Sequence, residues 1–331
     1  MSLIVPAKTK RVYLSKRPIE GIEKDTFVSE TTYVKQPGPD EVVVRVDIVS
    51  LDPAMRGWIR DVRSYTPPVK IGETMRAGAL GTVLTNGKTL KKGDIVQGYL
   101  GWTEYSTIKE KFLEKVVAPP GANPVDFLGP LGMIGMTAYF GILYVGKIKP
   151  GQTVVVSGAA GATGSLVCQI AKIKGAKVIG IAGAEDKCRW LVEDLGIDKA
   201  YNYNEQGWHS RFKREVGYLD VFFDNVGGSI LDFMLTRLNL NARIVLCGTI
   251  SEYNSSKPRG LQNYQTLTAM RASIQGFIVF DFTNDYPKAV ADMAQWIQEG
   301  KLKRKYHIES GLENCPRYLQ MLFRGENRGK L

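Results

Sequence analysis

The first 167 residues of this 331-residue chain contain neither cysteine nor histidine. Zinc is held by thiolate, imidazole and carboxylate groups, and structural zinc sites draw on cysteine and histidine almost throughout. A four-cysteine structural zinc and a catalytic zinc with cysteine or histidine ligands are therefore both excluded from this part of the chain, and no metal site is expected. The four cysteines, at positions 168, 188, 247 and 315, lack the paired spacing of disulfide scaffolds or metal knuckles, which predicts a reducing, cytoplasmic setting. The two histidines, His209 and His307, sit in a polar stretch and after a basic run. Neither is placed to act as a general acid, and surface or structural roles are expected.

Long apolar runs are also scarce. The N-terminus carries only a four-residue apolar patch before Lys8, too short for a signal peptide. One stretch of twenty uncharged residues, 127–146, has the length of a membrane span. Its five glycines and Pro130 break helix continuity and lower hydrophobicity, so it reads as a buried loop and helix, and no membrane association is expected. The formal net charge is +11, but the basic residues are scattered from Lys8 to Lys330. The densest group, Lys301, Lys303, Arg304 and Lys305, is broken by Leu302. This predicts a solvated basic face rather than a nucleic-acid site.

What is present falls into two patterns. From Arg11 to about Pro120, short runs rich in valine, isoleucine and tyrosine alternate with glycine, proline and aspartate clusters, as at 41–50, 81–85 and 94–99. This predicts a barrel-like β domain. At Thr153 the rhythm changes to strand, glycine-rich turn, helix and strand, over 153–182. A right-handed βαβ crossover then sets the two strands side by side and parallel. Further alternation, with strands at 199–203, 221–223, 243–247 and 273–280 and helices at 186–195, 229–238 and 286–299, predicts a doubly wound α/β sheet. The expected division is a catalytic domain of residues 1–125 completed by 295–331, with a nucleotide domain of 126–294 between.

The turn Gly158-Ala159-Ala160-Gly161-Ala162-Thr163-Gly164 is a variant of the dinucleotide fingerprint. Backbone N–H groups at the start of the following helix can bind a pyrophosphate, helped by the helix dipole. Chains that bind NADH usually place an acid at the end of the second strand to accept hydrogen bonds from the adenosine ribose. Here that place is Gly180-Ile181-Ala182-Gly183, and Glu185 and Asp186 come only after the turn. Lys187 can instead contact a ribose phosphate and Tyr203 can offer a hydroxyl, so NADPH is the expected cofactor. Lacking a placed histidine or metal ligands, the chain is suited to conjugate reduction, in which charge developing on a carbonyl oxygen is met by hydroxyl donors.

Seven segments in order, LDPAMRGWI (51–59), GMTAYFG (135–141), SGAAGATGSLV (157–167), FDNVGG (223–228), CGTISEYN (247–254), QGFIVFDF (275–282) and GENRGK (325–330), give the chain a resemblance to a known family. It resembles the zinc-independent medium-chain dehydrogenase/reductases, in the branch of leukotriene hydroxydehydrogenases, prostaglandin reductases, plant alkenal double-bond reductases and bacterial curcumin reductases. The resemblance implies a Rossmann doubly wound parallel sheet with a GroES-like β-barrel catalytic domain, and a homodimer. It also implies reduction of the carbon–carbon double bond of an α,β-unsaturated aldehyde or ketone. Position by position, it implies cofactor contacts at Gly161, Ala162, Thr163, Gly164, Lys187, Tyr203 and Asn225. Around the nicotinamide it implies Cys247, Gly248, Thr249, Ile250, Ser251 and Tyr253, with Phe277, Ile278, Val279 and Asn327. Tyr253 is expected near the substrate carbonyl and Tyr65 in the pocket wall, while Arg56 either meets a substrate carboxylate or makes a structural ion pair. Ala54 stands where many relatives carry a tyrosine bordering the substrate. A quinone reductase and a catalytically silent nucleotide-binding protein are the alternatives on the same fold.

Overall fold

A computed structural model describes residues 4–331, so the start of the short N-terminal apolar patch lies outside the described residues. The chain divides into two compact units. One comprises residues up to Leu128, Ile308–Glu326 and Leu331; the other comprises Gly129–His307 and Asn327–Lys330.

In the first unit the short alternating runs become seven strands: β1 (Lys8–Leu14), β2 (Phe27–Tyr33), β3 (Glu41–Val49), β4 (Ala79–Val83), β5 (Ile95–Gly98), β6 (Tyr105–Lys109) and β7 (Leu113–Lys115). They form an antiparallel pair, β1-β2, and a five-stranded antiparallel sheet in the order β6-β3-β4-β5-β7. Strand β3 is covered on both faces: Val42 and Val44 pack with Val83, Val96 and Leu100, while Val43 packs with Val34 and Leu84. A sheet that must close around a core needs such close crossings. Gly81 supplies one, because a Cβ there would lie 2.4 Å from the Arg45 carbonyl oxygen. The helix Cys315–Arg324 returns to this unit and buries Tyr318 and Leu319 against Leu14, Met55, Trp58 and Trp102. The unit is the GroES-like β-barrel.

The second unit is the Rossmann sheet. Its strands β8 (Thr153–Ser157), β9 (Lys177–Ala182), β10 (Lys199–Asn202), β11 (Leu219–Asp224), β12 (Leu238–Leu246) and β13 (Ser273–Gly276) are all parallel, in the order β10-β9-β8-β11-β12-β13. The order reverses between β8 and β11, and in such sheets ligands bind beyond the carboxyl ends of the strands at that reversal. The uncharged stretch 127–146 is here a buried helix, Met133–Phe140, continued by a π turn at Gly141–Val145. Among the described residues no helix is long and apolar enough to cross a membrane.

Two elements differ from the sequence expectation. The last strand was expected over 273–280 but leaves the sheet at Gly276, because β13 pairs with β12 alone and β12 ends at Leu246, the partner of Gly276. A 3₁₀ turn at Val279–Asp285 follows. The return to the first unit comes at Ile308 rather than at residue 295. The helix Tyr286–Gln298 buries Ala289, Met293, Trp296 and Ile297, and beyond it Gln169 exchanges two hydrogen bonds with the backbone of Lys303, keeping this stretch on the Rossmann sheet.

The carboxyl ends of β8 and β11 are joined by a fully buried carboxylate. Asp224 accepts from the Ser157 hydroxyl at 2.6 Å and from the amides of Val226 and Gly227 at 3.0 and 3.1 Å. Burial nevertheless pushes its carboxyl above the ordinary range, the hydrogen bonds opposing but not cancelling the effect. A carboxyl raised in the folded state adds stability below the unfolded value and loses that contribution as pH rises through the folded one. Urea unfolding across pH 4–8 should therefore show the stability of the native chain relative to Asp224→Asn falling as pH rises, with a slope of up to about 1.4 kcal/mol per pH step of one between the unfolded and folded titration points. A difference that stays flat with pH would refute this.

Candidate active site

The phosphate turn is built by packing. Strand β8 ends at Ser157, Gly158 takes a left-handed conformation with φ of +57°, and the helix Ala162–Ile173 begins after Gly161. A Cβ on Gly164 would lie 2.3 Å from the Gly158 carbonyl oxygen, so only glycine lets the helix start this close to the strand end. No side chain caps this helix start. The amides of Ala162, Thr163 and Gly164 open the helix, where the dipole favours an anion. A glycine-walled turn with an uncapped helix start fits a dinucleotide pyrophosphate.

The tip of β9 gathers the groups singled out for the ribose phosphate. Tyr203, directly after β10, lays its hydroxyl against Gly183, where a Cβ would come within 2.7 Å of the phenol oxygen. Lys187 lies half-buried in the short helix Glu185–Arg189. Desolvation lowers its pKa, and the nearby Arg328 guanidinium lowers it further against the opposing pull of Asp186. Arg328 itself donates from Nε to Asp186 at 2.7 Å. Sequence reasoning missed Arg328, since its partner is 142 residues away and no local pattern connects them.

The remaining candidates follow β11, β12 and β13. Asn225 donates its side-chain amide to the Ser157 carbonyl at 2.7 Å, and the amides of Cys247 and Gly248 donate to the Asp224 carbonyl at 2.9 and 3.1 Å. The next turn is tied to the same place, Ile250 N–H donating to Asn225 and Ser251 N–H to Val226. Thr249 N–H donates to the Tyr253 hydroxyl at 3.3 Å, which folds the phenol over Gly248. Phe277 packs against Phe223 and Gly141, Ile278 is extended, and Val279 is buried at the start of the 3₁₀ turn. Asn327 donates to its neighbour Gly329, which bridges to Gly161. The structure thus gathers Asn225 and the 247–253 turn about Asp224, and it sets the phosphate turn and the Lys187–Tyr203 group beyond the carboxyl ends of neighbouring strands.

The first-unit candidates are less alike. Tyr65 is about half exposed, and its hydroxyl accepts from Trp58 Nε1 at 2.7 Å. Trp58 also meets Tyr99 edge-on and the Arg76 guanidinium, an aromatic group that sequence reasoning did not assemble. Arg56 is fully buried and donates to the carbonyls of Pro18, Ile19 and Glu20. Its guanidinium fastens the 18–20 segment, and desolvation lowers its pKa to about 10. Ala54 packs against the core around Met55 and Trp58.

Histidine and cysteine behave structurally. His307 accepts from the Arg328 amide, and His209 lies against the rings of Trp208 and Phe233. All four cysteines are free, and burial pushes the thiols of Cys188 to about 11 and of Cys247 and Cys315 to about 12, with Cys168 raised further still. Among the described residues no three histidine, cysteine or acidic side chains gather as metal ligands. The turn itself yields a test. Gly164→Ala should lower stability by about 1–3 kcal/mol through overpacking. Gly161→Ala, at a φ of −79° that alanine adopts, should keep most of the stability while weakening dinucleotide binding. Thermal melts with and without nucleotide separate the two, and equal behaviour of both variants would refute the packing account.

Residues 10–116 match the family described as the N-terminal domain of oxidoreductase, and residues 162–296 match zinc-binding dehydrogenase. The NADPH-dependent curcumin reductase of Escherichia coli is 37% identical over 332 residues, covering 98% of this chain and 96% of that protein. The NADP(+)-dependent 2-alkenal reductase of Nicotiana tabacum is 38% identical, covering 93% of this chain and 92% of its own length. Among solved structures, CurA of Vibrio vulnificus in complex with NADPH superposes with a TM-score of 0.91 at 36% identity, covering 97% of each chain. With both domain types matched in order, full-length similarity, and no cysteine or histidine in the first 167 residues, the chain belongs to the zinc-independent medium-chain dehydrogenase/reductases, in the branch of the curcumin, alkenal and prostaglandin reductases.

Proposed function

We propose that the protein is an NADPH-dependent oxidoreductase that reduces the carbon–carbon double bond of α,β-unsaturated aldehydes and ketones. The observation that carries this reading is the position of the Tyr253 hydroxyl, which accepts from the Thr249 amide and lies over Gly248 just past the end of β12, at the carboxyl edge of the sheet. The names of the curcumin and alkenal relatives, and the NADPH bound in the Vibrio structure, support the same chemistry and cofactor.

Bound NADPH supplies the hydride that adds to the carbon β to the carbonyl. The amides of Ala162, Thr163 and Gly164 would hold its pyrophosphate, and Lys187 and Tyr203 its adenosine phosphate. Asn225, the 247–251 turn, Phe277, Ile278, Val279 and Asn327 would line the nicotinamide and its ribose. As negative charge builds on the substrate carbonyl oxygen, Tyr253 donates a hydrogen bond to it, and fixed donors of this kind act without reorganising. Cys247, held protonated by burial, takes no nucleophilic part. Arg56, committed to backbone carbonyls, acts as a fastener of the first unit.

Two measurements test this. Lys187→Ala should raise the NADPH Michaelis constant roughly tenfold or more, as expected for a lost charge-assisted contact, while NADH use stays nearly unchanged. Equal loss with both cofactors would sink the cofactor assignment. With a panel of alkenals, enones, quinones and simple aldehydes, Tyr253→Phe should lower enone turnover by about tenfold to 10³-fold, depending on how far the cofactor ribose hydroxyl shares the task. Full turnover in Tyr253→Phe, with loss in Tyr65→Phe, would place the donor in the first unit instead.

A further inference from the structure

The contact between Arg328 and Asp186 brings the C-terminal segment to the tip of β9, where the cofactor reading sets the adenosine ribose. Segment Asn327–Lys330 is held there by its backbone. Gly329 bridges to Gly161, Lys330 bridges to Tyr306, the Arg328 amide donates to His307 Nδ1, and the His307 amide donates to Lys330. Backbone contacts already tie the segment in place, and the Arg328 side chain adds a long contact within it, from Nη1 to the Asn327 carbonyl at 3.4 Å. It extends instead to Asp186, with both partners close to half exposed. An ion pair so open to water contributes little to stability.

Asp186 lies past the strand-tip position from which an acid selects an unphosphorylated ribose, but a bare carboxylate so close by would still repel a phosphate. Arg328 covers that carboxylate, and Lys187 stands next to it in sequence. The helix Glu185–Arg189 carries two carboxylates, Glu185 and Asp186, and two cations, Lys187 and Arg189, so Arg328 tips the group to a net positive charge just past Gly183, against which the Tyr203 phenol lies. Burial first, and then the nearby Arg328 guanidinium, loosens the hold of Lys187 on its proton, and the two cations repel each other. A doubly charged phosphate would relieve that repulsion, and a planar guanidinium suits two of its oxygens at once.

We infer that Arg328 is a third reader of the adenosine 2′-phosphate, alongside Lys187 and Tyr203, and that Asp186 is the counterion it gives up, wholly or in part, to that phosphate. The inference rests on the NADPH reading and adds to it a residue and an exchange. Calorimetric titration with 2′,5′-ADP and 5′-AMP tests it without any turnover. The native protein should bind 2′,5′-ADP more tightly than 5′-AMP. Arg328→Leu should weaken 2′,5′-ADP about tenfold or more, the scale of a charge-assisted contact, and leave 5′-AMP within about twofold. Asp186→Asn breaks the same ion pair but should act in the opposite direction, tightening 2′,5′-ADP by freeing the guanidinium and removing a negative charge. Should Arg328→Leu fail to fold, Arg328→Gln carries the same comparison.

If Arg328→Leu and Asp186→Asn weaken both nucleotides alike, Arg328 only anchors the segment and the inference falls. It falls equally if Arg328→Leu keeps the full preference for 2′,5′-ADP, an outcome that leaves the NADPH reading standing. A native protein that binds the two nucleotides equally would overturn that reading and this inference together.

Discussion

The architecture of the candidate site hangs on one buried carboxylate. Asp224 draws in the Ser157 hydroxyl from β8 and the amides of Val226 and Gly227, and its main-chain oxygen receives the amides of Cys247 and Gly248. A single residue thus fixes the ends of three strands and the two loops that follow them. Removing a charge from water is expensive, and the donors around Asp224 offset that cost only in part, so burial still raises its carboxyl pKa. The side-chain donors come from Ser157 and the 226–227 turn, while the 247–253 turn is tied to the same residue through its main-chain oxygen.

Much of this was legible in the sequence because it depends on local pattern. Strand β8, the phosphate turn, the helix Ala162–Ile173 and strand β9, which ends at Ala182, follow the strand, turn, helix, strand rhythm read over 153–182. All are set by neighbours a few positions away. Strand β13 was overextended because the run to Phe280 looks continuous, whereas its length is decided by where β12 stops. The late return to the first unit depends on Gln169 gripping Lys303, a contact between distant segments. Long-range partners are what a single sequence hides.

The same division runs through the site. Gly164 announces itself by spacing, and the structure supplies the steric reason in the Gly158 carbonyl. Lys187 and Tyr203 could be named because each follows a recognisable strand. Arg328 could not, since nothing in its surroundings says that it will reach Asp186. Arg56 was singled out for a substrate carboxylate or a structural ion pair, whereas its bonds to the carbonyls of Pro18, Ile19 and Glu20 depend on the fold of the loop before β2.

The four protonated thiols carry a consequence of a different kind. Conjugated aldehydes and ketones are soft electrophiles, and they alkylate proteins chiefly at thiolate sulfur, because the thiolate is the nucleophile. Three of the four cysteines are buried, and all four thiols are held well above neutrality in their pKa. A chain so arranged offers almost no thiolate at neutral pH. Its packing makes it a poor target for conjugated aldehydes such as the 2-alkenals for which one of its relatives is named, because the core itself keeps thiolate scarce.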